Sequence, residues 1–401
     1  MTSPVATDND NFTLPTARND FAARVVRSMF TRSGAVAGAA WIGVLALIAV
    51  FAPFLANTHP LLLSEHGDVS SPLFHHLSSA DVSLLGVFFL LIATLLWRSS
   101  IKKRLGFFVV GSVIVIVLST FLIQPPELTV YEQYREKEAT GAYDWVLRTP
   151  IPYSAQDYLR DRREAGLQAP LSNSLHTHWL GTEENGADVL SRIIHASRIA
   201  LSIGFVATGI AMIIGVALGG LMGYFSGRID LLGMRLVEIF ESVPTLFLLL
   251  TFVAFFGRSL YMMMVIIGLT GWTGYARFAR AEFLRLRQQD FVQAAIACGL
   301  PLKSILFRHI LPNAMAPLIV SASFGVASAI LAESSLSFLG LGLVDAPSWG
   351  QMLNQSVKSS VFNWWMAVFP GGAIFFTMFA YNMLGEALRD ALDPYLQNSN
   401  S

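Results

Sequence analysis

The sequence predicts an all-α polytopic membrane protein that crosses the bilayer about eight times. Three observations support this fold class. Of the 401 residues, 54% are hydrophobic and only 13% are charged, which is too apolar for an ordinary soluble domain. Several uncharged stretches are long enough to cross a hydrocarbon core of roughly 30 Å, and most charges lie between them. These spans imply membrane lipid around the chain. Because the formal net charge is zero, we expect no nucleic-acid partner.

The N-terminal region is predicted to be a polar tail followed by a membrane anchor. Residues 1–33 mix arginine with aspartate, whereas residues 34–55 carry no charge. A cleaved signal peptide would begin nearer the N-terminus and end in a small-residue cleavage site. We therefore expect a cytoplasmic tail over 1–33 and a retained first transmembrane helix over 34–55.

Two further spans are predicted at Val82–Trp97 and Leu105–Ile123. The loop between them, residues 98–104, carries four basic residues, whereas residues 56–81 contain no lysine or arginine. Short basic loops stay on the cytoplasmic side. Region 56–123 is thus predicted to be an extracytoplasmic loop plus two extra transmembrane helices. Because the first of these spans is short, a tilted or re-entrant pair is the alternative.

Residues 124–196 form a long extramembrane segment that span parity places outside the cell membrane. Its helix-like stretches are Glu127–Glu138 and Ala155–Ala165. His176 and His178 have a spacing that suits metal ligands on an extended chain, but no third ligand lies nearby in the sequence. We expect a solvated loop at these histidines and no metal site.

The main transmembrane body is predicted at 197–390, with a cytoplasmic tail at 391–401. Basic residues concentrate in the loop 277–312, which agrees with a cytoplasmic position, and Pro244 predicts a kink. Many small residues allow close helix packing in lipid. The even number of spans places both termini in the cytoplasm. The five spans are predicted at Ala200–Phe225, Leu231–Phe256, Leu260–Ala276, Ala314–Leu343 and Trp364–Leu384.

Glu333 is predicted to lie well inside one of these spans. An ionisable side chain at that depth is costly, so it should face the helix bundle or a wet cavity. A structural hydrogen-bonding role and a role in a pathway through the membrane both fit this position.

The loop from Asp290 to Pro312 is a polar interruption between hydrophobic spans. Asp290 is predicted to cap a helix over Phe291–Cys298, and Gln293 completes a capping-box-like arrangement. Small residues on this helix would give a smooth face that another protein's backbone can approach closely. The helix therefore favours a docking role.

Gly299 is predicted to end that helix, since glycine adopts the left-handed conformation of helix C-termini readily. Pro301 suits the first turn of a second short helix that would end before Pro312. The loop would thus be two short helices at a fixed angle.

Sequence motifs for chemistry are missing. The chain contains no G-x-x-x-x-G-K-[ST], H-E-x-x-H or G-x-S-x-G pattern, so we expect no catalytic residues, no cofactor and no ATPase site. The single cysteine, Cys298, excludes an internal disulfide framework. It is expected to pack as a small hydrophobic residue.

The loop resembles a known family motif. The run QAAIACG, nine residues and HILP is similar to the EAA loop of type I ABC importer permeases, which reads EAA, three residues, Gly, nine residues, Ile, any residue, Leu-Pro. Gln293 replaces the usual Glu and His309 the usual Ile. With DFVQAA and RHILPN both present, the loop resembles the dipeptide/oligopeptide/nickel permease branch.

Two other segments resemble the C-type subunit of that branch. They are HWLGTEENGADVLSRIIHASRIALSIGF at 178–205 and NMLGEALRDALDP at 382–394. Ala187 stands where an arginine is usual. The resemblance covers 25–60 and 178–394, so the two extra spans and residues 124–175 depart from the six-span pattern.

The resemblance implies a type I ABC importer transmembrane domain in the cell inner membrane, with a six-span core, two extra spans and an extracytoplasmic insert. Its implied partners are a second homologous permease subunit, two cytoplasmic ATP-binding subunits, an extracytoplasmic solute-binding protein and a peptide substrate. Residues 290–306 would be the coupling helix region, and Glu333 a candidate pathway residue. The residues implied to couple to the ATPase are Asp290, Phe291, Gln293, Ala294, Ala295, Gly299, His309 and Pro312.

Other functions remain open on the sequence. Within the same family, a subunit importing nickel or another small solute is the alternative to a peptide permease. An intramembrane enzyme that uses Glu333 or the histidine pairs would show activity as a purified chain. An ion channel subunit would conduct passively without any ATPase.

Residues 124–175 are rich in tyrosine and in charges of both signs. Aromatic residues with arginine are typical of protein-contact surfaces. We expect this insert to dock the binding protein or shield the pathway mouth, and a decoration without a partner is the alternative.

Overall fold

The structure, a computed structural model, describes residues 25–126, 130–159, 166–172, 177–343 and 346–392. Most of the two predicted cytoplasmic tails therefore lies outside the described residues. His176, Glu127 and residues 160–165 of the predicted helix Ala155–Ala165 also lie outside them.

The described chain is a bundle of helices, which confirms the predicted all-α polytopic membrane fold. Six of its helices are long and apolar enough to cross a membrane. The helices are α1 Ser33–Leu55, α2 Ser79–Leu96, α3 Ile101–Leu122, α4 Glu132–Ala139, α5 Val189–Phe225, α6 Gly227–Ser242, α7 Thr245–Phe256, α8 Leu260–Thr270, α9 Trp272–Arg287, α10 Asp290–Ala297, α11 Leu302–Leu341, α12 Trp349–Lys358 and α13 Trp364–Leu392.

Two predicted spans are interrupted. The span Leu231–Phe256 is a bent pair, because α6 and α7 diverge by 80° at Val243 and Pro244, a larger change than the predicted kink. Proline cannot donate the backbone hydrogen bond that would continue the helix. The span Leu260–Ala276 is divided at Gly271, which leaves α8 with 11 residues. Length and composition thus support six spans, or seven if the bent pair counts as one.

Helix α5 is the centre of the bundle. It has 37 residues, about 55 Å of helix, and packs against α1, α8, α9 and α11. Its backbone approaches α9 very closely: a Cβ atom on Gly219 would lie 2.2 Å from the Ala276 oxygen, and one on Gly223 would lie 2.5 Å from the Arg280 oxygen. Only glycine fits there, which confirms the predicted role of small residues in close helix packing.

The two extra predicted spans form a helical hairpin of α2 and α3. The hydroxyls of Ser83 and Ser119 lie 2.5 Å apart across it. The ring centroids of Phe88 in α2 and Phe51 in α1 are 5.5 Å apart, so the hairpin contacts the first helix. Most of the α3 surface is exposed in the single chain, as expected for a helix surrounded by lipid.

A small antiparallel sheet joins two distant parts of the chain. Its strands are β1 Leu62–Glu65, β2 Asp68–Ser70 and β3 Trp145–Leu147, in the order β2-β1-β3. His66 and Gly67 have positive φ, as a two-residue hairpin turn of type I′ requires. The sequence did not predict this sheet, because strands of three or four residues are too short to show an alternating hydrophobic pattern.

Asp157 fixes the junction between these parts. Its carboxylate accepts hydrogen bonds from Thr58 Oγ1 at 2.7 Å and from Arg135 Nη1 at 2.5 Å, and its Oδ1 accepts from the Leu159 amide. The helix predicted over Ala155–Ala165 is therefore wrong at 155–159, since this aspartate bonds its own backbone and holds a turn. Residues 56–78 and 130–159 make one unit, and the α2–α3 hairpin lies between its two halves in the sequence. From here on, the insert means this unit and not the segment 124–175 of the sequence analysis.

Candidate functional site

Helix α10 lies in the loop that resembles the family motif, and its N-terminus differs from the prediction. Gln289 is the N-cap, with extended φ and ψ, and Asp290 is already in the first turn, where its carboxylate still suits the helix dipole. Gln293 donates to the Arg287 carbonyl at 2.8 Å instead of to a capping residue. The capping box predicted between Asp290 and Gln293 is therefore wrong.

The C-terminus of α10 is closed by Gly299, which has a φ of +68°. The Gly299 amide donates to the Ile296 carbonyl at 2.9 Å, and the Leu300 amide donates to the Ala295 carbonyl at 3.2 Å. These are the two hydrogen bonds of a Schellman motif. Gly299 thus ends the helix as predicted. The adjacent Cys298 is exposed, contrary to the expectation that it packs as a small hydrophobic residue.

Helix α10 has a buried face and an exposed face. Val292 and Ala295, 0% and 6% exposed, pack with Ile305 and Ile310 of α11 and with α9. The exposed face of α10 and the residues that follow it carry large apolar side chains that this chain leaves partly uncovered. These are Phe291, Ile296, Leu300 and Leu302, each about two fifths exposed. We call them the apolar cap.

The second short helix of the loop is not separate. Leu302 begins α11, and the chain passes through a π-helical turn at Ile305–Ile310 directly into the long helix that contains Pro312. The predicted end before Pro312 is therefore wrong. The wider π-helical turn tolerates a proline that cannot donate a backbone hydrogen bond.

The eight residues implied to couple to an ATPase are thus divided. Ala295 is buried, and His309 is half-buried at the base of α11. Six are exposed: Asp290, Phe291, Gln293, Ala294, Gly299 and Pro312. The exposed six are available to a partner, whereas Ala295 holds α10 to the bundle.

Glu333 is 1% exposed in α11. Its carboxylate accepts hydrogen bonds from Ser337 at 2.6 Å and from Ser334 at 3.4 Å. Neither of the two cavities described below has Glu333 in its wall. These contacts favour the structural anchoring role over the pathway role.

An inner cavity of about 340 Å³ lies between α5, α7, α9 and α11. Its wall is uncharged and combines small residues with hydroxyls. The hydroxyl groups belong to Thr208, Thr245, Thr270, Tyr275, Ser321 and Ser328. Such a wall offers hydrogen bonds without fixing one ligand charge.

An outer cavity of about 450 Å³ lies where the insert meets α1, α2 and α5. Its wall includes His59 of the insert, Asp81 of α2, and His195 and Arg198 of α5. Arg198 and Asp81 form an ion pair across this junction. The cavity therefore contains polar groups from both the insert and the core.

Comparison with known proteins places the chain in a family. The family model described as "binding-protein-dependent transport system inner membrane component" matches residues 215–398. The oligopeptide transport system permease protein OppC of Haemophilus influenzae is 39% identical over 218 residues, 54% of this chain and 70% of that protein. The chain belongs to this permease family.

Two further proteins are similar to this chain. The dipeptide transport system permease protein DppC of Alkalihalophilus pseudofirmus is 36% identical over 246 residues, which is 61% of this permease and 80% of that protein. A structure of the MetNI methionine ABC transporter in an inward facing conformation is 17% identical, with a TM-score of 0.44 over 51% of this permease and 98% of that chain. The family membership and the six long apolar helices together make this permease a multi-pass inner membrane protein.

The permease buries an ion pair at the start of α5 that the sequence did not predict. Glu183 Oε1 lies 2.6 Å from Arg192 Nε, and the side chains are 2% and 4% exposed. The side-chain amide of Gln355 in α12 lies 2.8 and 3.0 Å from the two Glu183 oxygens. Burial raises the pKa of Glu183 to about 7, although Arg192 acts in the opposite direction. The pair links the chain before α5 to α5 and α12.

His178 lies close to this ion pair and is buried, so the solvated loop predicted at this histidine is wrong. Its Nδ1 is 2.8 Å from Asp188 Oδ2, and its ring stacks on Tyr153 at 4.3 Å. The same aspartate caps α5 by accepting from the Ser191 amide at 2.7 Å. His178 therefore orients the residue that starts the central helix.

The insert is expected to lose stability at acidic pH because of His59. This ring stacks on His76 at 3.9 Å, and burial and His76 lower its pKa from 6.5 to about 4, while Asp157 raises it. An unfolded chain binds the proton more readily, so the contribution is complete above pH 6.5 and is lost as pH falls towards 4. The loss at pH 5 is about 2 kcal/mol.

Hydrogen exchange of residues 56–78 and 130–159 at pH 7.5 and pH 5, corrected for intrinsic rates, measures this loss. His59→Gln should remove most of the pH dependence. His75→Gln, at an exposed neighbour, should leave it unchanged. Equal protection of the wild-type insert at both pH values contradicts the prediction.

Proposed function

We propose that this chain is one of two permease subunits of an ATP-driven importer of peptides. In this proposal a second homologous permease completes the pathway, two cytoplasmic ATPase subunits bind the loop around α10, and an extracytoplasmic binding protein delivers the peptide. Family membership supports the importer, and the names of the relatives support the peptide class.

The observation that carries the coupling part is the two-faced helix α10. Its apolar cap is exposed at the end of a charged loop, as a surface awaiting a partner would be. Its other face packs on α9 and on the base of α11. A push on the cap therefore moves α10 and α11 together as a rigid body.

Helix α11 then relates the coupling surface to the proposed pathway. It begins at Leu302 in the apolar cap and supplies Ser321 and Ser328 to the inner cavity. Peptides carry many amide groups and varied side chains, so an uncharged, hydroxyl-lined wall suits them. We propose that the inner cavity faces the peptide pathway and changes shape when the ATPases close.

The insert is proposed to meet the binding protein. Several apolar side chains on its sheet and on its short helix Pro72–His75 are exposed, namely Val69, Phe74, Trp145 and Leu147. Part of its charge is used internally, since Arg135 pairs with Asp157. An aromatic and apolar surface of this kind fits a transient protein contact.

The orientation proposed from loop charge places residues 98–104 and α10 in the cytoplasm and the insert outside. On a Cys298→Ser background, Asp68→Cys in β2 should react with a membrane-impermeant maleimide in intact cells. Ser100→Cys, exposed between α2 and α3, should react only after permeabilisation. Labelling of Ser100→Cys in intact cells would show that the proposed orientation is inverted.

The function itself is tested by reconstituting this chain with its proposed partners: the second permease, the two ATPase subunits and the binding protein. Liposomes with both permeases and both ATPases should import a labelled oligopeptide only with ATP and the binding protein. The chain alone should not hydrolyse ATP. Passive peptide leakage through the chain alone, or ATP hydrolysis by it, would refute the proposal.

A further inference from the structure

The outer cavity contains a cation whose hydrogen-bonding capacity is only partly used. Arg198 lines it, with 15% of the side chain exposed, and pairs through Nη1 with Asp81. The buried Nε and Nη2 atoms of Arg198 have no hydrogen-bond partner among the described residues. Unsatisfied buried donors are costly, and a ligand that accepts from them would recover that cost.

The acceptor beside this cation is already occupied. Asp81 Oδ2 accepts from the Ser78 amide and from the Ser78 hydroxyl, both at 2.7 Å, while Oδ1 faces Arg198. The hydrogen-bonding groups that remain free at this ion pair are therefore the N–H donors of Arg198. The Nε and Nη2 edge of a guanidinium has the geometry that binds a carboxylate through two parallel hydrogen bonds.

Two imidazole rings in the same wall offer hydrogen-bond acceptors. The Nδ1 atoms of His59 and His195 lie 3.0 Å from the oxygens of Asn57 and Ser191, so each neutral ring carries its proton on Nδ1. Each Nε2 is then an acceptor, and that of His59 is buried with no hydrogen-bond partner in the part of the chain that the structure describes. A ligand with N–H donors would complement these atoms.

Part of the remaining wall is apolar, and the cavity is large enough for a small ligand. Leu84, Ile199, Leu260 and Pro347 contribute to it, and its volume of about 450 Å³ lies within the roughly 300–1,000 Å³ of typical small-molecule sites. A carboxylate, adjacent N–H groups and an apolar side chain together describe the C-terminal end of a peptide.

We propose that the outer cavity binds the C-terminal end of the peptide substrate, with its carboxylate on Arg198 and its N–H groups against His59 and His195. The site is built jointly by the insert and the permease core. This proposal rests on the proposed peptide import function and adds a recognition site to it. Discrimination between peptides with and without a free carboxylate is the property that it predicts.

The test compares a labelled tripeptide with its C-terminal amide. Binding is measured on the assembled complex of permeases and ATPases in nanodiscs, without the binding protein. The wild type should bind the free acid more tightly than the amide. Arg198→Gln should raise Kd for the acid about tenfold or more and leave Kd for the amide unchanged.

Matched variants separate recognition from structure. Arg198→Gln leaves Asp81 with both hydrogen bonds from Ser78. If the complex with Arg198→Gln does not assemble, Arg198→Lys is used in its place, because lysine keeps the charge but lacks the paired donors. Ser202→Phe should fill the cavity and weaken both ligands. Arg235→Gln, at an exposed arginine of α6, should change neither.

The proposal is overturned if the wild type binds acid and amide equally, as it would with a lipid phosphate on Arg198, or binds neither. It is also overturned if Arg198→Gln weakens both peptides to the same extent. Uptake by the complete importer separates these outcomes from a failure of the proposed function. Normal ATP-dependent uptake with no carboxylate preference refutes the site alone, whereas absent uptake by the wild type refutes the importer.

Discussion

Replacing Ala294 by glutamate is expected to abolish peptide uptake while the chain still folds and inserts. Ala294 is exposed on α10, so the bundle tolerates the larger side chain. In the assembled importer the same position would be covered by an ATPase, and an unpaired charge buried there costs about 3–5 kcal/mol. ATPase affinity should fall at least a hundredfold, measured by co-purification alongside uptake.

Two matched alanines control this prediction. Ala281→Glu, at an exposed position of α9, should leave ATPase binding unchanged. Ala295→Glu should instead unfold the loop, because Ala295 is buried against α11, and should lower the yield of folded chain. Normal uptake by Ala294→Glu with all subunits present contradicts the docking of α10.

Replacing Glu183 by leucine is expected to have the largest effect on stability. The change leaves Arg192 buried without its carboxylate, and a guanidinium cannot lose its charge by deprotonation. Breaking a buried pair in this way costs about 3–5 kcal/mol. Size-exclusion profiles and thermal stability of the detergent-solubilised chain should show little folded protein.

The reciprocal change, Arg192→Leu, should be milder and pH-dependent. The remaining Glu183 can take up a proton, and burial already raises its pKa to about 7. A carboxyl whose folded pKa is raised favours the folded state below its unfolded pKa and loses that contribution as pH rises. Arg192→Leu should therefore be more stable at pH 6 than at pH 8. Equal stability at both pH values would show that Glu183 does not control the variant.

The sequence was informative wherever a signal is local. The long apolar spans, the glycines of α5 and the helix end at Gly299 follow from length, residue size and backbone freedom, each readable within a few positions. The position of the short helix α10 between longer helices was predicted correctly, but which of its residues are buried and which are exposed was not. Burial of Ala295 depends on Ile305 and Ile310, which reach it only after the chain turns back.

Contacts between distant segments could not be predicted. Strand β1 pairs with β3 about eighty residues later, and the Glu183–Arg192 pair is completed by Gln355 from α12. The outer cavity likewise needs the insert and α5 together. Its residues look like ordinary loop histidines and helix-terminal charges until both segments are in place.

The most direct test of coupling uses the single native cysteine. Cys298 is exposed next to the apolar cap, so a benzophenone maleimide attached to it can report which subunit lies within reach. Irradiation of the assembled importer should attach Cys298 to an ATPase subunit. The same probe at Asp68→Cys, in the insert and on a Cys298→Ser background, should not. Attachment of Cys298 only to lipid or to the binding protein would contradict the assignment of α10 as the coupling contact.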